Sequence, residues 1–146
     1  MVWTPFLAGE VVEADALNKR IIEVLMDWTP LSSLGSFASG FTPNPAMAPA
    51  MQITREMGVV HWRYQGRINN ATPANVVNTT QVMFTFTSTD HRPAVERGGE
   101  MYAANSSHYP VRLGLMTNGT LTASVPSAAA GASTIWLDTL WIPNPK

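Results

Sequence analysis

Three histidines, His61, His91 and His108, and four carboxylates beyond residue 89, Asp90, Glu96, Glu100 and Asp138, are the side chains of this 146-residue sequence with the most to offer chemically. A metal site built within one chain needs histidines at short spacings such as His-x-His or His-Glu-x-x-His. These three lie far apart, with only Asp90 beside His91. One ligand per subunit on a threefold axis is the metal arrangement that a single sequence would not reveal. Acid/base catalysis by paired carboxylates needs a defined separation and one raised pKa, and nothing in the spacing selects a pair. Nucleophilic catalysis lacks its signatures: there is no Gly-x-Ser-x-Gly, the serines sit in loop-like runs such as "ANSSHYP" and "VPSAAAGAS", and there is no cysteine. No glycine-rich phosphate loop appears either. No catalytic residue, metal ligand set or cofactor is therefore assigned, and the sequence reads as a non-enzyme.

The stretch "REMGVVHWRYQGRIN", residues 55–69, crowds arginines and aromatic rings in the manner of a single-strand nucleic-acid platform. Strict alternation argues against that use. Val60, Trp62, Tyr64 and Ile68 fall on one face of a strand, and His61, Arg63, Gln65 and Arg67 on the other, so rings and guanidiniums cannot form one stacking surface. Composition agrees: charged residues are 13% of the chain and the formal net charge is −1, which steers the molecule to neither phosphate backbones nor anionic lipid. No nucleic-acid partner is expected. The residues left for binding are Tyr102, His108 and Tyr109, read as loop residues whose amphipathic rings could stack on sugars or fill a protein contact.

The elements that must carry these residues change character along the chain. From Glu13 to Trp28, Leu17, Ile21, Val24, Leu25 and Trp28 recur at helical spacing, which predicts one amphipathic helix closed by Pro30. Its stripe would pack on the chain's own sheet or on other copies. Residues 29–50 are Pro, Gly, Ser and Ala punctuation with Leu31, Leu34, Phe37 and Phe41 spaced through it, an irregular segment draped over a sheet. Beyond residue 50 the period becomes two. "QVMFTFTS" puts Val82, Phe84 and Phe86 on one face; Val111, Leu113 and Leu115, then Leu121, Ala123 and Val125, supply two more strands around the hairpin signal Asn118-Gly119. The closing "STIWLDTLWIP" is apolar on both faces, hence a strand buried from two sides or lying at a subunit contact.

About seven or eight strands follow, making a mainly β protein: an antiparallel β-sandwich or jelly roll preceded by an extended N-terminal arm and one α-helix. Three regions are expected: arm and helix over 1–30, a Pro/Gly/Ser-rich connection over 31–50, and the β-domain over 51–146. The N-terminus has no basic start followed by an apolar core, and no apolar run approaches the roughly 20 residues of a membrane span. The chain thus reads as soluble and unprocessed, without membrane insertion.

In order and spacing the segments resemble small minor tail proteins and tail-fibre tip modules of tailed bacteriophages, particularly those of actinobacterial hosts. "WTPFLAGEVVEADALNKRI" is similar to the family's opening, through Trp3, Gly9, Val12, Ala14, Leu17 and Asn18. "WTPLSSLGSF" resembles the entry to its β-domain, and Arg55, Gly58, Val60 and Gly66 its Arg-x-x-Gly hairpin and Gly-ended strand. Arg92-Pro93, "TNGTL" and the Trp136-Leu137-Asp138 close continue the match, while Glu13 departs from the usual Thr or Ser helix cap and the Gly before the Arg-Pro step is missing.

The resemblance implies a virion protein, homotrimeric and surface-exposed on the tail, that contacts other virion proteins and a host cell-surface saccharide. The alternative is a capsid decoration or head-fibre protein docked on the shell through its N-terminal region. Leu17, Ile21, Val24, Trp28, Trp136 and Leu140 are then the candidate oligomer interface, Trp3 and Phe6 the candidate attachment points, and Tyr102, His108 and Tyr109 the candidate receptor loop.

Overall fold

A computed structural model describes residues 22–72, 76–104, 108–126, 133–138, 141–143 and 145, with backbone alone for 99–104, 108, 109 and 141. Two antiparallel sheets form the fold. The smaller has the order β1–β4–β5–β12, built from β1 (Ile22–Pro30), β4 (Ala50–Glu56), β5 (Val59–Gln65) and β12 (Trp141–Pro143). The larger takes β2 (Gly35–Phe37), β3 (Phe41–Pro43), β6 (Arg67–Asn70), β7 (Gln81–Phe86), β8 (Arg97–Ala104), β9 (His108–Leu115), β10 (Thr120–Ser124) and β11 (Thr134–Trp136) in the order β2–β7–β10–β9–β8–β11–β6–β3. The antiparallel β-sandwich read from the sequence is thus the architecture, with twelve strands among the described residues rather than seven or eight. The extra ones are short: β2, β3, β11 and β12 have three residues each, too few to show a period.

The core draws on both sheets. Met51, Trp62, Tyr64 and Ile142 from the smaller meet Ile68, Met83, Phe84, Phe86, Val111, Leu113, Leu115, Leu121, Ala123 and Ile135 from the larger, all buried. Phe84 stands edge-on to Phe37 and to Phe86, with ring centroids 5.0 Å apart in each pair. Leu31 and Phe41 are buried, and Leu34 and Phe37 pack against the core, so the punctuated segment does drape over it, with a one-turn helix α1 (Leu31–Leu34) and two short strands inside it.

The predicted helix is corrected. From Ile22 onward the segment is β1, while Leu17, Ile21 and the rest of the expected helix lie outside the described residues. The register of β1 on β4 shifts between Val24 and Met26 and again between Met26 and Thr29. Each irregularity inserts residues into an edge strand, so the half-covered positions become Glu23, Met26 and Thr29, three apart. A period of two stretched by bulges imitates a period of 3.6. A similar insertion corrects β7: Leu121 pairs with Phe84 but Thr122 with Val82, so Met83 is the extra residue and turns inward while Val82 is exposed.

Both hairpin signals are turns, of different kinds. Met57 (φ 48) and Gly58 (φ 84) make the two-residue β4–β5 turn, both with positive φ as a type I′ turn requires. At Asn118-Gly119 only the glycine has positive φ. The Gly119 N–H donates to Met116 O (2.8 Å) and the Met116 N–H to Thr120 O (2.9 Å), a longer loop closed by a glycine bulge.

The apolar close of the chain is not one two-faced strand but two strands in different sheets, β11 and β12. It crosses beside an earlier crossing between the sheets, where Gly66 alone separates β5 from β6. Gly66 has φ +81, and a Cβ there would stand 2.4 Å from the Ala48 carbonyl oxygen. The two crossings are tied together: the Gly66 N–H donates to Asp138 Oδ1 (2.6 Å) and the Leu137 N–H to Gly66 O (2.9 Å).

Candidate functional site

The candidate site lies on the face of the larger sheet turned away from the core, where Leu113, Leu115, Leu121 and Ala123 point inward and their neighbours point out. Register fixes three rungs across β8, β9 and β10. Glu100, Arg112 and Ser124 form one, and Gly98, Gly114 and Thr122 the next; the third begins where Arg97 pairs with Leu115 and places Glu96 next to Met116. Two glycines side by side remove the side chains from the middle rung. The result is a trench of about 420 Å³ lined by Thr80, Glu96, Arg97, Arg112, Leu113, Gly114, Met116, Thr122 and Ser124, with Gly98 on its floor.

The floor is held by sequence choices that alternation does not dictate. Thr122, 93% covered, donates its hydroxyl to Gly114 O (3.2 Å), and a Cβ at Gly114 would approach Thr122 Oγ1 to 2.8 Å. Gly114 therefore has no room for a side chain. Gly98 does: its Cβ would meet only Leu113 O, at 3.5 Å. Four-residue separation along a strand puts the outer rungs about 13 Å apart, with the Arg112 guanidinium toward one wall and the Glu96 carboxylate toward the other. The hydroxyls of Thr80, Thr122 and Ser124 and the thioether of Met116 complete the lining. This arrangement can bind through donors and acceptors; it has no nucleophile held by a base.

The residues singled out from sequence are dispersed. Tyr102, His108 and Tyr109 are not loop residues: Tyr102 is in β8, opposite Pro110, while Tyr109 and His108 are in β9, opposite Ala103 and Ala104. The loop-like run "ANSSHYP" is narrowed because the β8–β9 ladder continues to the pair of Ala104 and His108. His61 is in the interior of the smaller sheet, opposite Thr54 and Pro143, and is buried rather than wet; His91 lies in a 3-10 turn, its ring 5.6 Å from that of Phe86. Among the described residues no three His, Asp or Glu side chains gather as a metal site. Asp138 is used for the sheet crossing.

Val24 and Trp28 are exposed on β1, at the edge of the smaller sheet, together with Ile22 and Leu25. Trp136 is half-buried under the Arg67 guanidinium, 4.2 Å from the ring centroid. Trp3, Phe6, Leu17, Ile21 and Leu140 lie outside the described residues. Arg63 pairs with Glu56 on the face of the smaller sheet that carries His61, and Arg55 pairs with Glu23 (2.6 Å) on the face that carries Val60, so these arginines of the 55–69 stretch are engaged in architecture. The trench itself was missed because its residues are spread over three strands and its main feature, two glycines in register, needs the pairing to be seen.

No helix among the described residues is long and apolar enough to cross a membrane. No protein-family model matches the chain, and no curated protein does. Among solved structures the fold is similar to that of the receptor binding protein gp15 of Listeria phage PSA, with a TM-score of 0.56 over 90% of this chain and 71% of that one. Sequence identity is 10%, so what the two chains share is the fold.

Proposed function

We propose that this chain is a bacteriophage virion protein without enzymatic activity, exposed on the tail as a homotrimer and contacting the host surface. The observation that carries this reading is the likeness of fold to a phage receptor binding protein over nine-tenths of the chain. The order of the short sequence motifs points the same way. The trimer is supported by Ile22, Val24, Leu25 and Trp28, four apolar side chains exposed together on an edge strand. An edge of that kind in a lone monomer invites uncontrolled pairing, and a subunit contact would cover it.

Gold-labelled antibody against the chain, applied to intact particles of the phage that encodes it, is expected to mark the tail, and purified chain is expected to slow adsorption of those particles to their host. Gold on the heads would replace this reading with capsid decoration. Unaltered adsorption at saturating protein would remove the host-binding role.

A further inference from the structure

We propose that Met57, at the tip of the β4–β5 turn, is an anchor that holds this chain to a second protein of the virion by entering an apolar pocket there. The inference rests on the virion role above. Met57 combines two features that each cost free energy. At 82% it is the most exposed large apolar side chain among the described residues, and it sits at φ 48, a conformation that residues other than glycine, asparagine and aspartate seldom take. A turn shaped by folding alone would carry asparagine at this position. A methionine kept there at the expense of stability marks a side chain retained for a contact.

The surroundings present this side chain and select what receives it. The tip stands clear of the body: a Cβ at the neighbouring Gly58 would meet no atom within 4 Å beyond its chain neighbours. Ile22, 44% exposed, pairs with Glu56 at the foot of the turn, and Val24, 54% exposed, follows on β1, so apolar surface runs from the tip onto the edge strand. The charges nearest the tip are matched, Arg55 with Glu23 and Glu56 with Arg63, so recognition here is by apolar contact. A lipid surface does not fit. Glu56 immediately precedes Met57, and one apolar side chain backed by ion pairs is too little to hold a protein on a membrane. The trench of a second copy does not fit either, since Glu96, Arg97 and Arg112 line it. A pocket on a permanently bound protein does, because lasting interfaces are the more apolar class and an unbranched thioether adapts to the shape it enters.

The phage that encodes the chain is made with Met57→Asn and with Met57→Leu, and the chain in purified particles is quantified by mass spectrometry against the other virion proteins. Met57→Asn is expected to cut that content about tenfold or more, the scale of burying one such side chain, although the purified variant unfolds at a denaturant midpoint no lower than that of wild type. Met57→Leu keeps an apolar tip of similar volume and is expected to stay within about twofold of wild type. A diazirine amino acid at position 57 is expected to cross-link, on illumination of intact particles, to a virion protein other than this chain.

Full content of Met57→Asn, equal loss of both variants, cross-linking to other copies of the chain alone, or no cross-link at all would each overturn the anchor. The two proposals separate in the same particles. If wild-type chain is absent from them, the virion role fails and the anchor fails with it. If Met57→Asn is incorporated in full but its particles no longer adsorb, host contact stands and the anchor falls.

Discussion

Tyr64 puts a hydroxyl where nothing answers it. The side chain is buried in the core and its oxygen has no hydrogen-bond partner among the described residues. Burial pushes its pKa up, because the phenolate would be stripped of water. The unfolded chain ionises this tyrosine at about pH 10. Its contribution to stability is therefore complete below that pH and is lost as the pH rises toward the higher folded value. Tyr64→Phe is expected to raise stability by about 1 kcal/mol at neutral pH, since an unsatisfied buried hydroxyl is removed. Urea midpoints measured from neutral to alkaline pH are expected to fall more shallowly in the variant; parallel profiles would mean that the oxygen reaches water.

Trp62→Ala leaves a large void beside the same core and is expected to cost about 3–5 kcal/mol in thermal unfolding. The core face was legible here, since Trp62, Tyr64 and Ile68 alternate cleanly into the core. His61 was not, because alternation tells which side a residue faces and not what covers that side.

At the scale of elements, the β4–β5 turn is written with an unfavourable residue. Met57 takes φ 48 with 82% of its surface exposed, a conformation that asparagine tolerates far better than an unbranched apolar chain. Met57→Asn is expected to stabilise by about 0.5–1 kcal/mol through the turn alone, read as a higher denaturant midpoint with an unchanged slope. Gly58, beside it, was legible from the sequence as the turn residue. Apart from the three-residue strands, what escaped sequence reading at this scale has one cause, the bulge. Irregular pairing in β1 made a strand look helical, and the extra Met83 in β7 exchanged the faces assigned to Val82 and Met83. None of these insertions contains a glycine to mark it, so each shows only once the partner strand is in place.

For the molecule as a whole, both proposals rest on the smaller sheet, on its apolar edge β1 and on the β4–β5 turn at the end of that edge. Val24→Glu combined with Trp28→Ala is expected to turn a sedimenting trimer into monomers with little loss of intramolecular stability, because both side chains are already exposed. A trimer that survives these changes places the interface elsewhere. The sandwich class was legible from period-two segments and turn residues alone. The trench was not, because a site made of register exists only after distant strands have paired.

The crossing at Gly66 and Asp138 also orders events in time. β11 lies between β8 and β6, so β6 and β3 join the rest of the larger sheet only through residues 134–136, and the smaller sheet acquires its fourth strand only with residues 141–143. On a ribosome these segments emerge after every strand they must bridge. The earlier strands wait with open edges, and closure joins partners as distant as Gly66 and Asp138, 72 residues apart. Such long-range pairing is slow. Closure of the two sheets thus waits for residues 134–143, and until these arrive the edges of the earlier strands stay open to wrong pairing.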